Sequence, residues 1–315
     1  MRHTTNLQFA THAEIRRLIW HQEAHVRHFG PTNSKGIRKL WERNPRVAIA
    51  RQAAMIITGH RKLLPVNQAK LDKSGETIGV LTIGLTMSPA HELAMFLRGH
   101  HACPGATAGC IAACVGNATG QAAISARSEF DGHRLARMAR GLLRVVLRKQ
   151  FKRVERKELA AAQRKAEREE LEMVAYRPDV ATDYQDNCDD LDVDLVYGYT
   201  AVSSAMRKDD RTYRAFSRKE TERSDQLARQ WVDRGYPVAV VFAVAKGQPM
   251  PATWNGAPVI DGDLHDVWPM QTHPTTGQPI KDSYGQHGVV VGLRYKYATN
   301  EQRDGIVSSG FAVAA

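Results

Sequence analysis

Three of the four cysteines in the chain lie close together, as Cys103, Cys110 and Cys114. Thiolates at such short spacing bind soft metals, among them iron–sulfur clusters, zinc and copper(I). One helical turn would place the thiols of Cys110 and Cys114 on the same side, because these residues are four apart. The Pro-Gly pair after Cys103 would turn this residue back over them. The pattern predicts one metal or iron–sulfur centre with these three ligands.

Three thiolates leave the fourth coordination position of such a centre open. A [4Fe–4S] cluster held by three cysteines has one iron free for a substrate or cofactor, whereas His100 or His101 would complete a Cys3His zinc site. A further interpretation is that the three cysteines are small buried residues without any metal. The isolated Cys188 is interpreted as a free thiol.

A second cluster of chemically active residues reads Asp261-Gly-Asp263-Leu-His265-Asp266. It follows a short apolar segment, residues 258–260, which suits a strand whose C-terminal end would carry the cluster. These groups can bind a cation, hydrogen-bond ribose hydroxyls or supply a general base, and we interpret all four as cofactor-binding candidates. The alternative is a polar turn in which the aspartates cap local backbone groups.

Strand-length apolar runs and turn residues predict the elements that position these clusters. The predicted strands are residues 77–85, 195–200, 237–244 and 288–293, with a helix over residues 219–234. Tyr197 and Tyr199 share one side of the second strand, where they serve core packing or substrate contact, and Tyr199 and Thr200 are further cofactor-binding candidates. This alternation of strands and helices predicts an α/β fold with an open or partial (β/α) barrel-like domain.

The first part of the chain, residues 1–70, reads as a helical N-terminal segment, followed by the α/β domain over residues 71–315. Thr11 is the predicted N-cap of a first helix with Glu14 as its capping-box partner, and Gly30 ends it. Two more helices are predicted over residues 36–42 and 45–58. Residues 122–174 predict a long helical stretch, broken near Gly132 or Gly141.

The composition fits a cytoplasmic protein, since 43% of the 315 residues are hydrophobic and no apolar run reaches the length of a membrane span. The net charge of +11 favours contact with polyanions. Eight basic residues and no acid lie from Arg134 to Arg153, whereas seven aspartates and no Lys or Arg lie from Asp179 to Asp194. The basic residues predict either a nucleic-acid contact or a solvated helix face packed near the acidic loop.

The Cys103-Pro-Gly-Ala-Thr run with its spaced cysteines resembles the gene 88 protein family of actinobacterial phages. Later elements of that family are resembled by the stretch from Tyr197 to Thr200, the Phe216-Ser217 pair, and the acidic motif Val259-Ile-Asp-Gly-Asp263 with His265-Asp266. The likeness covers about residues 33–312. The chain departs from the family at Val115, Gly198 and Ala201, where relatives carry Tyr, Asp and Lys.

The resemblance implies a phage-type protein that works in the host cytoplasm. A three-cysteine loop after the first strand of an α/β domain is also similar to the cluster loop of radical S-adenosylmethionine enzymes, whose usual spacing is Cys-x3-Cys-x2-Cys. That analogy implies S-adenosylmethionine as a cofactor and a small-molecule substrate.

Three functions compete on these grounds. The first is an iron–sulfur enzyme of radical S-adenosylmethionine type, with the acidic motif helping to hold the cofactor. The second is a nucleic-acid-binding phage or plasmid protein with structural zinc, and the third is a metal-free α/β protein that acts through protein contacts.

Overall fold

A computed structural model of the chain describes residues 11–65, 69–90, 92–115, 130–186, 188–206 and 212–314. The helices of this part are α1 (His12–Phe29), α2 (Ser34–Arg43), α3 (Pro45–Ile57), α4 (Ala69–Ile78), α5 (Ala108–Ala112), α6 (Gly132–Val146), α7 (Arg148–Arg168), α8 (Glu222–Asp233) and α9 (Asn300–Ser308). The strands are β1 (Val80–Gly84), β2 (Met173–Arg177), β3 (Leu195–Thr200), β4 (Thr212–Ser217), β5 (Val238–Phe242), β6 (Thr253–Trp254), β7 (Ala257–Asp261) and β8 (Val290–Arg294).

All eight strands form one sheet in the order β1-β2-β3-β4-β5-β8-β7-β6. Seven of them run parallel, and only β6 pairs antiparallel, with β7. The sheet is not closed, because its edge strands β1 and β6 do not pair among the described residues. A parallel sheet with helical connections is the α/β architecture of an open, barrel-like domain, as the sequence predicts.

The two faces of the sheet bury different sets of side chains. One face carries small and aromatic residues, among them Ala175, Tyr197, Ala215 and Val291, which pack with Trp268 from the chain after β7. The opposite face is covered by helices. Val174, Tyr176 and Val196 pack there against α6 and α7, and Phe216, Val238 and Val240 pack against α8. Parallel strands covered on both faces read as nearly continuous apolar runs, which explains the sequence pattern of β5 and β8.

The N-terminal helices form as predicted and share a core with α6 and α7. Thr11 caps α1 in a capping box with Glu14, and Gly30, with a φ of 79°, ends the helix. Asn33 caps α2, and Asn44 caps α3, which begins with Pro45. Residues 1–10 of the predicted helical segment lie outside the described residues.

The predicted strand over residues 77–85 is too long at its start, because α4 continues to Ile78 and β1 begins at Val80. The helix packs tightly on the strand, and the hydroxyl of Thr82 donates to the Leu71 carbonyl at 2.6 Å. Gly75 makes this approach feasible, since a Cβ there would lie 2.2 Å from the Val80 carbonyl oxygen. Close packing therefore favours a helix where the β-branched residues predict a strand.

The long helical stretch predicted over residues 122–174 is also divided differently. The helix α6 begins at Gly132, Leu147 separates it from α7, and the chain then turns into β2, which sequence reasoning missed together with β4 and β6. Gly141 lies inside α6, where a Cβ would meet Leu93 at 2.9 Å, so it serves packing rather than a break. Residues 122–129 of the predicted stretch lie outside the described residues.

None of the helices in the described ranges has the length and apolar character needed to cross a membrane.

Candidate functional site

The C-terminal ends of the parallel strands form one edge of the sheet, which we call the mouth. The residues that end the strands there are Gly84, Arg177, Thr200, Ser217, Phe242, Arg294 and Asp261. In parallel α/β sheets, ligands bind at this edge because the loops after the strands converge on it.

The cysteine loop, residues 99–115, follows β1 and lies on the mouth. The N–H of Ala102 donates to the Ala90 carbonyl at 2.7 Å, and the N–H of Asp183, after β2, donates to the Ala102 carbonyl at 3.0 Å. The Cys103 thiol donates to the Ala181 carbonyl over 3.9 Å. The start of the loop is therefore fixed over the end of β2.

Farther along the loop, the short helix α5 carries Cys110. Thr107 caps this helix, and its hydroxyl accepts the N–H of Cys110 at 3.3 Å. The same hydroxyl donates to the carboxylate of Glu220 at 2.6 Å, and the N–H of Gly109 donates to the other oxygen at 2.8 Å. Glu220 follows β4, so the helix is attached to the middle of the mouth.

The far side of α5 packs on the end of the chain. Cys110 lies in a small apolar cluster with Ile306 of α9 and Phe311, and with Val241 of β5. The side-chain amide of Gln302 donates to the Ala112 carbonyl at 2.7 Å. The cysteine loop thus reaches from the end of β2 to β5.

Cys103, Cys110 and Cys114 form no disulfide within the described residues, and all three are partly buried. Burial raises the pKa of the Cys103 thiol to about 12, although the N–H of Ala90 lowers it by hydrogen bonding to the sulfur. Negative charge on Cys114, Asp183 or Cys110 would raise this pKa further, so the three thiols lie within electrostatic reach of one another.

The three thiols are of the chemical type that binds soft metals, and they are partly shielded from water. Their sulfur atoms do not converge on one point in this structure, where the described ranges contain no group of three or more His, Cys, Asp or Glu that could hold a metal ion. His100 hydrogen-bonds the hydroxyl of Tyr184 at 2.9 Å, and His101 accepts the N–H of Cys103 at 3.1 Å. Each imidazole therefore has a protein partner in this arrangement.

The aspartates of the acidic motif, residues 261–266, are engaged by arginines. Asp261 receives both Nη atoms of Arg294 at 2.7 Å, and it also accepts the N–H of Asp263 at 3.0 Å. Asp263 accepts the backbone N–H of Arg294 at 2.8 Å and pairs with Lys296 at 3.1 Å. The first part of the motif is thus a turn whose aspartates accept backbone N–H groups, and its contacts with Arg294 connect β7 to β8.

Asp266 is buried and makes a different set of contacts. Both of its oxygens accept Nη1 of Arg177 at 2.8 Å, and one accepts the hydroxyl of Tyr197 at 3.0 Å. Its N–H donates to the hydroxyl of Ser74 in α4 at 2.8 Å. Burial lowers the pKa of Arg177, but the neighbouring Asp266, Tyr199 and Tyr197 together raise it above the usual value. Arg177 therefore keeps its positive charge inside the barrel-like domain.

Two of the remaining candidates, Tyr199 and His265, lie beside this ion pair. The ring of Tyr199 lies between Arg177, whose guanidinium carbon is 4.9 Å from the ring centre, and Trp268, at 6.5 Å between ring centres. Burial raises the pKa of Tyr199, so the phenol stays neutral. Burial also lowers the pKa of His265, whose buried Nδ1 has no hydrogen-bond partner among the described residues. This part of the domain can therefore offer neutral hydrogen-bonding groups to a polar ligand.

Thr200 lies at the end of β3, away from the acidic motif. Its hydroxyl accepts the N–H of Val202 at 3.1 Å and hydrogen-bonds Asp183. Burial raises the pKa of Asp183, while the N–H of Ala201 and the Thr200 hydroxyl lower it in part. Thr200 therefore supports the acid beside Cys103, and the structure groups it with the cysteine loop.

Lys219, which follows β4, is a buried lysine that sequence reasoning missed. Its ammonium donates to the Ser217 hydroxyl at 2.8 Å and lies 5.7 Å from the centre of the Phe311 ring. No carboxylate among the described residues is within ion-pair distance of this ammonium. The mouth thus keeps a positive charge next to the cluster that contains Cys110.

The basic residues from Arg134 to Arg153 lie on α6 and α7, and some of them contact the acidic loop, residues 179–194. Arg144 and Arg148 both pair with Asp186, and Arg144 also stacks on Tyr184 at 3.5 Å. The guanidinium of Arg140 donates to the Thr86 carbonyl, and burial lowers its pKa to about 10. Much of the basic stretch is therefore used inside the protein, while Lys149 and Arg153 stay exposed.

The residues that sequence reasoning missed come mostly from the strands that it missed. Arg177 ends β2, and Lys219 and Glu220 follow β4. A positively charged residue at the end of a short apolar run, as in Met173–Arg177, would have been the sequence feature that marks such positions. The single pocket predicted for the cysteines and the acidic motif stays a prediction, although both lie at the mouth.

Comparison with curated proteins and with solved structures gave no match for the chain. The family model described as gene product 88 matches residues 59–296, which include the cysteine loop and the acidic motif. Because this match covers well over half of the sequence, the chain belongs to the gene product 88 family.

Proposed function

We propose that Cys103, Cys110 and Cys114 bind one iron–sulfur cluster, and that the protein is an enzyme of the radical S-adenosylmethionine type or close to it. The observation that carries this proposal is the position of the cysteine loop. Three half-buried cysteines lie in the loop on the mouth of an open parallel sheet, and this loop contacts the ends of β2, β4 and β5. Enzymes of α/β architecture place their reactive groups at this edge.

Cluster binding would require the three sulfur atoms to turn towards one another. Cys110 lies in a single helical turn and Cys114 just after it, and rotation about the Cα–Cβ bond moves a cysteine sulfur between staggered positions without unfolding the helix. A [4Fe–4S] cluster with three cysteine ligands would leave one iron available to S-adenosylmethionine.

The residues below the loop would bind and orient the molecules that react there. Arg177 and Tyr199, held by Asp266 and Trp268, form a polar wall, and His265 adds a neutral imidazole. The buried ammonium of Lys219 gives the mouth positive charge. These groups suit a small polar substrate, because each offers a hydrogen-bond donor at a site shielded from water.

The second candidate is a nucleic-acid-binding protein with a structural zinc ion at the cysteines. The exposed Lys149 and Arg153 on α7 support it, because surface cations of this kind contact phosphates. The ion pairs of Arg144 and Arg148 with Asp186 reduce the charge available for such contacts. We therefore rank it below the iron–sulfur enzyme.

The experiment is anaerobic purification followed by reconstitution with iron and sulfide. A brown protein with cluster absorption and stoichiometric iron and sulfide would support the enzyme. A colourless protein with stoichiometric zinc would favour the second candidate. A protein that holds neither would reject both metal sites and leave an α/β protein that acts through protein contacts.

A further inference from the structure

We propose that Glu220 is the positioning residue of the cysteine loop, a carboxylate latch that sets where Cys110 and Cys114 lie on the mouth. The role of Glu220 in cofactor binding rests on the proposed function. Its control of the thiol positions can be tested without any metal. Nothing in the sequence motif marks Glu220, because it lies more than a hundred residues after the cysteines.

Glu220 makes two hydrogen bonds to the start of α5. Glu220 accepts the Thr107 hydroxyl at 2.6 Å and the N–H of Gly109 at 2.8 Å, one bond to each of its oxygens. The N–H of Gly109 belongs to the first turn of α5, where helical N–H groups have no partner within the helix. A carboxylate there satisfies this donor and fixes both the start and the direction of the helix.

The close approach of Gly109 is an independent second observation. A Cβ at this position would lie 2.9 Å from the carboxylate carbon of Glu220 and 3.0 Å from each of its oxygens. Glycine in a helix costs stability relative to alanine, so its presence in α5 needs a local reason. The reason that the geometry offers is the space taken by the Glu220 carboxylate.

The latch acts together with other attachments of the loop. The start of the loop is held by Ala102 and Cys103 on the end of β2, and its end by Gln302 on Ala112 and by the apolar cluster around Cys110. Glu220 supplies side-chain hydrogen bonds at the start of α5. Its loss would free the start of the helix that carries Cys110 while the rest of the sheet stays intact.

The test measures how fast iodoacetamide alkylates each cysteine of the metal-free protein, by mass spectrometry of the peptides. Cys188, which is 3% exposed, is the internal reference for the global fold. We expect Glu220→Ala to raise the rates at Cys110 and Cys114 several-fold relative to Cys188. The rates in Glu220→Gln should lie between those of the natural protein and those of Glu220→Ala, because the amide oxygen still accepts the N–H of Gly109. Glu222→Ala, a change at an exposed acid two residues on, is the matched control.

A double-mutant cycle with Gly109→Ala separates the latch from a general loss of stability. In the natural background the added methyl group should displace the carboxylate and raise the rates. In the Glu220→Ala background it should have no further effect, because the space is then free. Equal alkylation rates in the natural protein and in Glu220→Ala would overturn the proposal, as would a slower rate in Gly109→Ala. Glu220→Gln, which keeps the size of the side chain but removes its charge, gives the same test if Glu220→Ala does not fold.

Iron content after reconstitution tells the two proposals apart. If the natural protein binds iron, Glu220→Ala should bind less, with Glu220→Gln recovering part of the loss. Faster alkylation in Glu220→Ala, with no iron bound by any variant, would support the latch and reject the iron–sulfur function. Bound iron with unchanged alkylation and iron content in Glu220→Ala would reject the latch alone.

Discussion

Asp266 and Arg177 join two distant parts of the sheet, since both Asp266 oxygens lie 2.8 Å from Nη1 of Arg177. Asp266 follows β7 near one edge of the sheet, and Arg177 ends β2 next to the other edge. The hydrogen bond from Asp266 to Ser74 adds α4 to the same connection. The sheet therefore curves like a barrel although its edge strands do not pair, and polar contacts bridge the gap.

Asp266→Asn should destabilise the fold strongly. It leaves the Arg177 guanidinium buried without a counter-charge, and breaking a buried pair in this way costs about 3–5 kcal/mol of unfolding free energy. Urea denaturation at neutral pH measures the loss. The double variant Arg177→Met with Asp266→Leu should recover much of it, because no charge then remains buried. A loss below about 1 kcal/mol in Asp266→Asn, the range of exposed pairs, would show that the pair is open to water.

Single changes of Cys103, Cys110 or Cys114 to Ala should each remove most of the bound metal. A centre reduced to two thiolates holds its ion or cluster poorly, because metal affinity depends on the full ligand set. Elemental analysis after anaerobic reconstitution gives the metal content per chain. Cys188→Ala is the control and should keep the full content. Equal metal in all four variants would disprove a shared centre.

Nucleic-acid binding, if present, should be weak and strongly salt-dependent. Phosphate contacts release counterions, so affinity for a duplex DNA probe should fall steeply between about 50 and 200 mM salt. The double change of Lys149 and Arg153 to Ala should flatten this dependence, since both side chains are exposed. The same change at Arg38 and Lys39, on α2, is the control. Absence of binding at about 50 mM salt, measured by fluorescence anisotropy, would reject the second candidate function.

Stability should decrease as the pH falls below about 6.5, the usual pKa of histidine. Burial lowers the pKa of His273, so the unfolded chain takes up a proton there before the folded protein does. Its contribution to stability is therefore complete above the unfolded pKa and is lost as the pH falls through the folded pKa.

The steepest effect of this one site is about 1.4 kcal/mol per pH unit. His273→Asn, which can keep an acceptor for the N–H of Thr275, should make the unfolding free energy less dependent on pH. His60→Asn, at an exposed position, should leave the dependence unchanged. Urea unfolding of the two variants between pH 5 and 7.5 checks both predictions. If the unfolding free energy of His273→Asn changes with pH as steeply as that of the natural protein, the pH dependence comes from other groups.

Local features of the sequence predicted much of the fold. The caps at Thr11 and the apolar runs of β5 and β8 depend on neighbouring residues only, so their elements could be located. The strand β2 was missed because it follows the charged helix α7 after a short turn, with Glu170 at a φ of 53° and no glycine or proline to mark it. The strand β4 reads TYRAFS, in which an arginine interrupts the apolar pattern.

For the candidate site, too, local features could be predicted from the sequence and long-range contacts could not. The cysteines could be identified by spacing, and the turn at Asp261 was one of the two interpretations of the acidic motif. The partners Arg177, Arg294 and Glu220 could not be assigned, because each contact joins residues that are distant in sequence. The pairing of Arg144 with Asp186 is an intermediate case, since opposite charge in two neighbouring segments favours contact without specifying which residues meet.

The hydrogen bond between Ser74 and Asp266 spans 192 residues, and the ion pair between Arg177 and Asp266 spans 89. During synthesis the cysteine loop therefore leaves the ribosome long before the chain that completes its surroundings. Contacts of such long range form late, because the loop they close is costly in entropy. In the nascent protein the three thiols are thus present before the mouth is complete, and the shielding of Cys110 from water depends on the last residues to be synthesised.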